Sequence, residues 1–363
     1  MSSSIWFQTL SPDDRAHLET SDAAPQTADI LILGAGNIGL ATAWYLTQAG
    51  VSDICVLDSQ APLSGASGAN AGGLWFAQQS PELGPLGPLA RASSRLYDEL
   101  PSALGANFDL RRTGLLELGS TTDSIATVQA AGFRAERVLP NELEPSLAPW
   151  PTAVYYPDEG QLNPVKLGVG FLRRLRERGV RICTDEANSR PQAGVTVIAS
   201  GAWTPLVTKA LGWTPPIRPL RGQLLATNPL PAGTLRHTIL GPRFYYWQLV
   251  QGHVAGGGTV EDVGFTSGTN PDDLAAILAE RDSLFPTLAG VPTACAWSGF
   301  RPFCEDLKPV IGRVPGQDRV YVAAGHFKKG IMLAPVTGKI LADLITTGHT
   351  DLPIGPLDPA RFP

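Results

Sequence analysis

The feature that most constrains the fold is a strand followed at once by a glycine-rich turn. Residues 29–33 form a strand-like run, apolar from Ile30 onward, which is typical of a central parallel strand covered on both faces. Gly34, Gly36 and Gly39 come next in the spacing Gly-x-Gly-x-x-Gly. The first glycine permits a tight turn, the second lets the backbone approach a pyrophosphate, and the third lets helix and strand pack closely. The turn therefore predicts a phosphate site at the N-terminus of the helix that follows.

The elements after the turn complete a βαβ unit. Residues 40–49 predict a helix that ends at Gly50, and residues 54–57 predict a second apolar strand that leads into Asp58. Asp58 lies 19 residues after Gly39, where a carboxylate accepts both hydroxyls of a ribose and disfavours a 2′-phosphate. The unit therefore predicts dinucleotide binding. A glycine turn used for packing alone would leave Asp58 without a role.

Two further loops carry small residues where predicted strands end. Segment 64–73 follows the second strand, and residues 200–203 follow a strand predicted at 195–198. Backbone that lies against a ligand uses such residues, although segment 64–73 alone would fit a surface loop equally well. The candidate ligand-facing residues are Ala66, Ser67, Asn70, Ala71, Gly72, Gly73, Ser200, Gly201 and Trp203.

A second glycine turn lies almost 300 residues after the first. Residues 320–324 predict a buried strand, the turn runs from Gly325 to Gly330, and a helix is predicted over 335–347. Together the two turns indicate a chain that wraps both of its ends around one dinucleotide. The alternative is a nicotinamide-binding module that is complete within the first half of the chain.

These elements predict an α/β fold with two discontinuous domains. A Rossmann-like cofactor domain is expected from residues 28–80, 160–210 and 305–348. Residues 81–159 and 211–304 are expected to form an α+β substrate domain with a mixed or antiparallel sheet, because residues 222–264 alternate like a β meander. Residues 1–27, polar and punctuated by proline, predict an irregular arm, and residues 349–363 a C-terminal tail.

Charge and composition argue against several classes of protein. A net charge of -5 without a long basic run argues against a nucleic-acid surface. No apolar run reaches the roughly 20 residues of a membrane span, and residues 1–7 lack the regions of a secretory signal. The four cysteines show neither disulfide nor metal spacing, so no metal site is predicted. A cytoplasmic protein is the expectation, with homo-oligomerisation left open.

Six segments resemble the D-amino-acid oxidase superfamily of FAD-dependent oxidoreductases, and within it the glycine oxidases. The match keeps its order from about residue 28 to residue 348, and its final segment is the most specific. The segments are the first glycine turn, the loop at 66–72, and residues 198–203, 299–302, 308–312 and 325–335. The resemblance implies that the dinucleotide is FAD and not NAD.

The resemblance also implies particular cofactor contacts. Asn37 and Ile38 would meet the pyrophosphate, and Asp58 and Ser59 the adenosine ribose. The loop residues Ser67, Ala71, Gly72 and Gly73 would lie along the phosphates and the ring-side backbone. The isoalloxazine would be bordered by His326, Phe327, Lys328, Lys329, Gly330, Ile331 and Met332. The positive end of the following helix would then face the pyrimidine edge of the flavin, where negative charge develops on reduction.

Three residues are implied on the substrate side. Arg301 lies where the superfamily pairs an arginine with the substrate carboxylate, since a planar fork of donors makes a bidentate pair. The alternative is an ion pair from Arg301 to Glu305 or Asp306. Lys328 lies where glycine oxidases typically have arginine. Tyr245 matches the hydroxyl that closes the site, but alternation along a strand allows Tyr246 to face inward instead.

The sequence departs from the resemblance in three places. Only twelve residues separate Ile182 from Val195, where relatives have a longer excursion that supplies part of the adenine pocket. Residues 256–261 lack the lysine that sarcosine-oxidase relatives use with oxygen. Cys304 does not coincide with their flavin-attachment cysteine, so the flavin is expected to be non-covalent.

The resemblance implies oxidation of the amine of a small amino acid or N-alkyl glycine. A hydride passes to flavin N5, the resulting imine hydrolyses, and the electrons pass to oxygen or another acceptor. An alternative is a dehydrogenase of the same fold that reduces a partner protein or a quinone, as a subunit of a complex. A non-catalytic flavin-binding scaffold would leave Arg301 without a purpose.

Overall fold

The computed structural model describes residues 4–20, 23–79, 84–120, 123–184 and 191–362. The strands are β1 (Thr27–Leu33), β2 (Ile54–Asp58), β3 (Gly73–Leu74), β4 (Leu115–Leu118), β5 (Glu136–Val138), β6 (Ala153–Tyr156), β7 (Gly160–Gln161), β8 (Arg181–Thr184), β9 (Gln192–Ile198), β10 (Ile217–Pro229), β11 (Thr238–Leu240), β12 (Tyr245–Gln248), β13 (His253–Gly257), β14 (Thr293–Cys304), β15 (Val310–Arg313) and β16 (Val320–Ala324). The α-helices are α1 (Ile5–Gln8), α2 (Pro12–Ala16), α3 (Asn37–Gln48), α4 (Ala66–Ala69), α5 (Gly87–Leu104), α6 (Asp123–Ala130), α7 (Pro140–Leu143), α8 (Pro164–Glu177), α9 (Thr204–Thr208), α10 (Pro271–Leu284) and α11 (Gly330–Thr347).

The first sheet has six strands in the order β15-β16-β9-β1-β2-β8. β1 lies in its centre and pairs in parallel with β2 and β9, and β16 pairs in parallel with β9. Alternate residues of β1 point to opposite faces: Ile30 and Ile32 pack into the core that contains α3, α8 and α11, whereas Leu31 and Leu33 pack into a second core. Burial on both faces explains the apolar run in the sequence.

The second sheet has eight strands in the order β14-β10-β13-β12-β11-β4-β6-β5. Its pairs are antiparallel except for β11 with β4. The long strands β10 and β14 pair from Ile217 opposite Cys304 to Thr227 opposite Thr293. The α/β fold class with a Rossmann-like and a mixed-sheet region is thus confirmed.

The N-terminal segment differs from the irregular arm that the sequence predicts. Ile5, Trp6 and Phe7 form the short helix α1 and are 1%, 2% and 6% exposed within the main core. The prediction was wrong for these residues because one helical turn is too short to show a helical period, and the polar residues after it dominated the pattern.

Helix α11 begins at Gly330, five residues before the start that the sequence predicts. Pro335 lies inside it and has no N–H to donate to the carbonyl of Ile331, four residues back. The hydroxyl of Tyr97 donates to that carbonyl instead, and Ser93 Oγ donates to the next one, that of Met332, at 2.7 Å. The Tyr97 hydroxyl from α5 therefore supplies the donor that proline lacks, and Ser93, also from α5, adds a bond to the same turn.

Within the described ranges, one helical stretch, Phe327–Thr347, is long and apolar enough to cross a membrane by length and composition alone. Most of it is buried, and α11 packs against α3 and α5. Burial inside the protein accounts for its apolar composition.

Candidate active site

A cavity of about 730 Å³ lies between the two sheets, which is within the usual size of a small-molecule site. On one side it begins where β1, β2 and β9 end, at Gly34, Asp58 and Ser200. On the other side it reaches the second sheet at Leu224 and Tyr245. A crevice at the carboxyl ends of parallel strands is the expected ligand site of such a sheet.

The first glycine turn has the geometry of a phosphate cradle. Gly36 precedes α3, and a Cβ added there would come 3.0 Å from Ser67 Oγ, while the Asn37 N–H donates to the same oxygen at 2.8 Å. Gly39 does not line the cavity, and a Cβ on it would lie 2.0 Å from the Gly34 carbonyl oxygen. The third glycine thus serves helix packing.

Asp58 is fixed at the end of β2. Its Oδ2 accepts from the Ala35 N–H at 2.7 Å, and its Oδ1 accepts from the Gln60 N–H at 3.1 Å. Burial raises the pKa of Asp58, and the backbone N–H donors of Ala35, Gln60 and Ser59 oppose that shift. Ser59 and Asp58 both line the cavity.

The terminal turn borders the cavity from the opposite end of the chain. After β16, His326 leads into a single 3-10 turn, Phe327–Lys329, and α11 begins at Gly330. His326 is buried, its Nε2 lies 3.0 Å from Thr337 Oγ1, and burial lowers its pKa to about 3. The ring is therefore neutral at physiological pH. The N–H groups that begin α11 favour negative charge nearby.

Arg301 lies on β14 and lines the cavity. Its Nη1 donates to the Thr259 carbonyl at 2.6 Å, and Gly222 on β10 lies directly beneath the guanidinium. Among the described residues Arg301 forms no ion pair; the carboxylate of Asp306 is bound by Arg361 Nε at 2.9 Å. The alternative pairing to Glu305 or Asp306 is therefore absent from this part of the chain.

Tyr245 and Tyr246 point to opposite sides of β12. Tyr245 lines the cavity and its ring packs against Trp75 with centroids 4.7 Å apart. Tyr246 is fully buried, and its hydroxyl donates to the Ile277 carbonyl at 2.9 Å. Between the two, the cavity-facing residue is Tyr245.

The structure brings together most residues that the sequence singled out. Those lining the cavity are Gly34, Gly36, Asn37, Ile38, Asp58, Ser59, Ala66, Ser67, Asn70, Ala71, Gly73, Ser200, Gly201, Trp203, Tyr245, Arg301, His326, Phe327, Lys328, Gly330, Ile331 and Met332. Gly39, Gly72 and Lys329 do not line it. Gly72 adopts a φ of +71° with the Leu162 carbonyl close by, so a glycine there serves the backbone conformation of the loop. Lys329 is buried, with 2% of its surface exposed.

Other lining residues were not singled out from the sequence as site residues. Gln78 and Gln79 follow Trp75, and Leu115 and Leu240 add apolar wall from the second sheet. Nothing in a single sequence distinguishes these side chains from ordinary strand and loop residues. Of the short connection between Ile182 and Val195, residues 185–190 are outside the described chain, so the expectation about the adenine side stays a prediction.

The loop at 75–79 is held from behind by a buried carboxylate. Glu159 is 1% exposed and accepts from the backbone N–H groups of Phe76 at 2.7 Å, of Ala77, and of Gln78 at 3.1 Å. Burial raises the pKa of Glu159 to about 8, and the three N–H donors oppose that shift. The side chain thus fixes the backbone that presents Trp75 and Gln78 to the cavity.

The fold and the two-ended cavity define a dinucleotide-binding protein, and comparison with known proteins identifies the family. The chain belongs to the DAO family of FAD dependent oxidoreductases, whose profile matches residues 29–344. It is 28% identical to the bifunctional protein ThiO/ThiG of Synechocystis sp. over 93% of this chain and 54% of that protein, so it spans about half the length of that relative.

Two proteins named glycine oxidase resemble the chain over most of their length. It is 27% identical to the glycine oxidase of Bacillus licheniformis, over 87% of this chain and 92% of that protein. The crystal structure of glycine oxidase from Geobacillus kaustophilus superposes with a TM-score of 0.86 at 25% identity, covering 93% of this chain and 100% of that one. The sequence-based assignment to this superfamily is confirmed, as are the class of enzyme and the cofactor FAD.

The residues of the cavity fit FAD. The cradle at Gly36 suits a pyrophosphate, the carboxylate of Asp58 suits a ribose, and the N-terminus of α11 suits the electron-accepting edge of a flavin. Cys304 is 0% exposed and is not among the lining residues. Non-covalent attachment stays a prediction.

Proposed function

We propose that the protein oxidises the amine of a small amino acid or N-alkyl glycine and that Arg301 binds the substrate carboxylate. The observation that carries this proposal is a guanidinium on the wall of the flavin cavity with no carboxylate partner among the described residues. A buried or half-buried arginine without a counter-ion favours an anionic ligand. The names of the glycine oxidase relatives support the same substrate class.

The groups around Arg301 hold its guanidinium in one orientation. Nη1 of the guanidinium donates to the Thr259 carbonyl at 2.6 Å and to the Arg221 carbonyl at 3.4 Å, which leaves Nε and Nη2 for a carboxylate. Tyr245 and Trp75 form an aromatic wall beside it, and Leu115 and Leu240 complete an apolar lining. The protein thereby binds one end of the substrate and excludes water from the other.

Bound FAD supplies the group that accepts two electrons, and the oxidised amine is an imine that water hydrolyses. The chain's own contribution is alignment: the carboxylate held by Arg301 fixes where the α-carbon lies in the cavity. We further propose that oxygen is the electron acceptor. A partner protein or quinone is the alternative outcome of the test below.

Anaerobic titration of the yellow protein with glycine, sarcosine and D-amino acids, followed by air, tests the proposal. We expect one of these substrates to bleach the flavin, and air to restore the colour with stoichiometric hydrogen peroxide. Arg301→Ala should lower kcat/KM roughly 10- to 100-fold, because a charge-assisted hydrogen bond is lost. The kcat/KM of Arg301→Lys, which keeps the charge but not the planar fork of donors, should lie between those of the native protein and Arg301→Ala.

Different failures of this experiment have different meanings. A flavin that no small amino acid bleaches would contradict the substrate class. Bleaching without peroxide, with recovery only on adding a quinone, would contradict the oxidase and support the dehydrogenase. An unchanged kcat/KM in Arg301→Ala would remove Arg301 from the substrate site while leaving the flavin chemistry intact.

A further inference from the structure

The residues of the loop at 64–73 are small and do not by themselves restrict its backbone to one conformation. It is built from Ser, Gly, Ala and Asn, and it contributes the helix α4 and several residues of the cavity wall. Glycine loses more conformational freedom on ordering than any other residue. A ligand that binds such a loop pays for its ordering unless other parts of the protein have already fixed it.

Three successive backbone carbonyls of this loop are bound by side chains from distant segments. Ser4 Oγ donates to the Gly68 carbonyl at 2.6 Å, and Trp6 Nε1 donates to the Asn70 carbonyl at 2.7 Å. The carbonyl between them, of Ala69, accepts from Trp297 Nε1 at 3.0 Å. Two of the three donors therefore come from the first few residues of the chain.

Ring packing adds to these hydrogen bonds. The ring of Phe7 lies against Gly68 so closely that a Cβ there would come 2.5 Å from the ring. Ser4 is 0% exposed and Trp6 is 2% exposed; the hydrogen bond from Ser4 is buried and the one from Trp6 is partly buried. α1 also packs against α8, which supports it from behind.

The same loop is linked directly to the phosphate cradle. Ser67 Oγ accepts from the Asn37 N–H at the start of α3. This bond joins the loop whose carbonyls are bound by the N-terminal segment to the first glycine turn. Any shift of α4 would therefore move Ser67 relative to Asn37. Residues 4–7 lie outside the range matched by the family profile, which begins at residue 29.

We propose that residues 4–7 are a clamp that holds the loop at 64–73 in its FAD-binding shape, with Ser4 and Trp6 as positioning residues. The clamp touches the loop on the carbonyls of Gly68 and Asn70 and does not line the cavity itself. Its effect is on the affinity for FAD, because it removes part of the ordering that binding would otherwise require.

The test compares the double variant Ser4→Ala/Trp6→Phe with the control Trp213→Phe. Trp213 is 4% exposed and its Nε1 donates to the Phe362 carbonyl at 2.9 Å, so the control loses a partly buried indole hydrogen bond, like that of Trp6, elsewhere in the molecule. Apoprotein of each is titrated with FAD by fluorescence, and its thermal midpoint and the hydrogen exchange of residues 64–73 are measured at a temperature where the apoprotein is folded.

We expect the double variant to bind FAD roughly tenfold more weakly, since two hydrogen bonds of ordinary strength are lost. Exchange in the loop at 64–73 of the apoprotein should accelerate. The control should lower the thermal midpoint but keep the dissociation constant of FAD within about twofold, because its hydrogen bond is remote from the loop.

Two results would overturn the clamp. One is an unchanged FAD affinity in the double variant while its apoprotein is folded; the other is an equal loss of affinity in Trp213→Phe, which would mean general destabilisation. If the double variant does not fold, Trp6→Phe alone is measured, with an expected loss of about threefold. An unchanged affinity in Trp6→Phe would then count against the clamp.

Discussion

At the scale of single residues, the orientation of Arg301 depends on the absence of a side chain beneath it. A Cβ added to Gly222 would lie 2.0 Å from Arg301 Nη1 and 2.3 Å from Cζ, well inside contact distance. Gly222 is opposite Gly299 in the β10–β14 pair, so the guanidinium lies over a stretch of strand with no side chains. Gly222 thus leaves room for this position of the guanidinium, and its φ is not left-handed.

Gly222→Ala should therefore weaken substrate binding without weakening FAD binding. The added methyl displaces the guanidinium from the Thr259 carbonyl, so KM should rise roughly tenfold or more while the visible spectrum of the flavin stays unchanged. Steady-state kinetics with the substrate identified by flavin bleaching measure this.

Gly355→Ala is the matched control, because Gly355 has open space where its Cβ would be. That variant should keep the KM of the native protein. A Gly222→Ala enzyme with the KM of the native protein would show that Arg301 binds the substrate carboxylate in another side-chain conformation or does not bind it.

The sequence could identify Arg301 but not its surroundings. Its motif is local, residues 299–302, whereas Gly222 and Thr259 approach it from other strands. Tyr245 and Tyr246 could not be separated by alternation alone, since which face of β12 meets the cavity is set by the packing of Tyr246 against α10. The register of the strands and the residues packed around each side chain decide both the surroundings of Arg301 and the tyrosine that faces the cavity. Neither can be obtained from a single sequence.

At the scale of elements, the buried histidine just before α11 makes the stability of the fold depend on pH. His326 is 2% exposed, and burial lowers its pKa from 6.5 to about 3. In the unfolded chain the imidazole binds a proton near pH 6.5, so between those pH values the unfolded state holds more protons than the folded state. The contribution of His326 to stability is therefore present above pH 6.5 and is lost as the pH falls toward 3.

His326→Gln should flatten this part of the stability profile. Urea unfolding of the apoprotein at pH 7.5 and at pH 5 should show a smaller loss of free energy on acidification in the variant, by about 1–2 kcal/mol. His349→Gln is the control, because His349 is exposed near the end of α11. Equal pH dependence in His326→Gln and the native protein would contradict a neutral buried ring.

Element boundaries were predictable where a cap marks them. Asn163 and Asn270 are each followed by a proline, a sequence pattern typical of a helix start. Asn163 accepts two backbone N–H groups of α8, and Asn270 accepts one of α10. The start of α11 was not, because a proline is usual in the first turn of a helix, whereas Pro335 lies inside α11 and the Tyr97 hydroxyl from α5 binds the carbonyl that it leaves without a donor. Long-range side-chain contacts of this kind leave no local pattern.

At the scale of the whole molecule, the cofactor site is assembled from both sheets and both ends of the chain. We expect the adenosine side to depend on Gly34 to Ser59, and the flavin side on the terminal turn and the second sheet, which line the same cavity. The repeated strand-to-turn pattern predicted four of the six strands of the first sheet, β1, β2, β9 and β16. The closing of the second sheet through the parallel pair β11–β4 was not predictable, since it joins segments more than 100 residues apart.

FAD should therefore stabilise the apoprotein more than ADP does at equal concentration. A ligand at 100 times its dissociation constant adds about 2.7 kcal/mol of stability, and ADP can occupy only the half of the cavity near Asp58. Thermal unfolding of apoprotein with each ligand measures the difference. Equal midpoints with ADP and FAD would mean that the terminal turn contributes nothing to cofactor binding.

The parallel pairing of β16 with β9 also has a consequence for biosynthesis. A ribosome delivers Gly34 and Asp58 first, and Gly325 follows 267 residues after Asp58. A nascent polypeptide that stops short of Gly325 lacks part of the cavity wall. We therefore expect FAD to be loaded only after residues 325–332 have been made and β16 has paired with β9, and the long sequence separation of the strands that must meet makes this assembly slow.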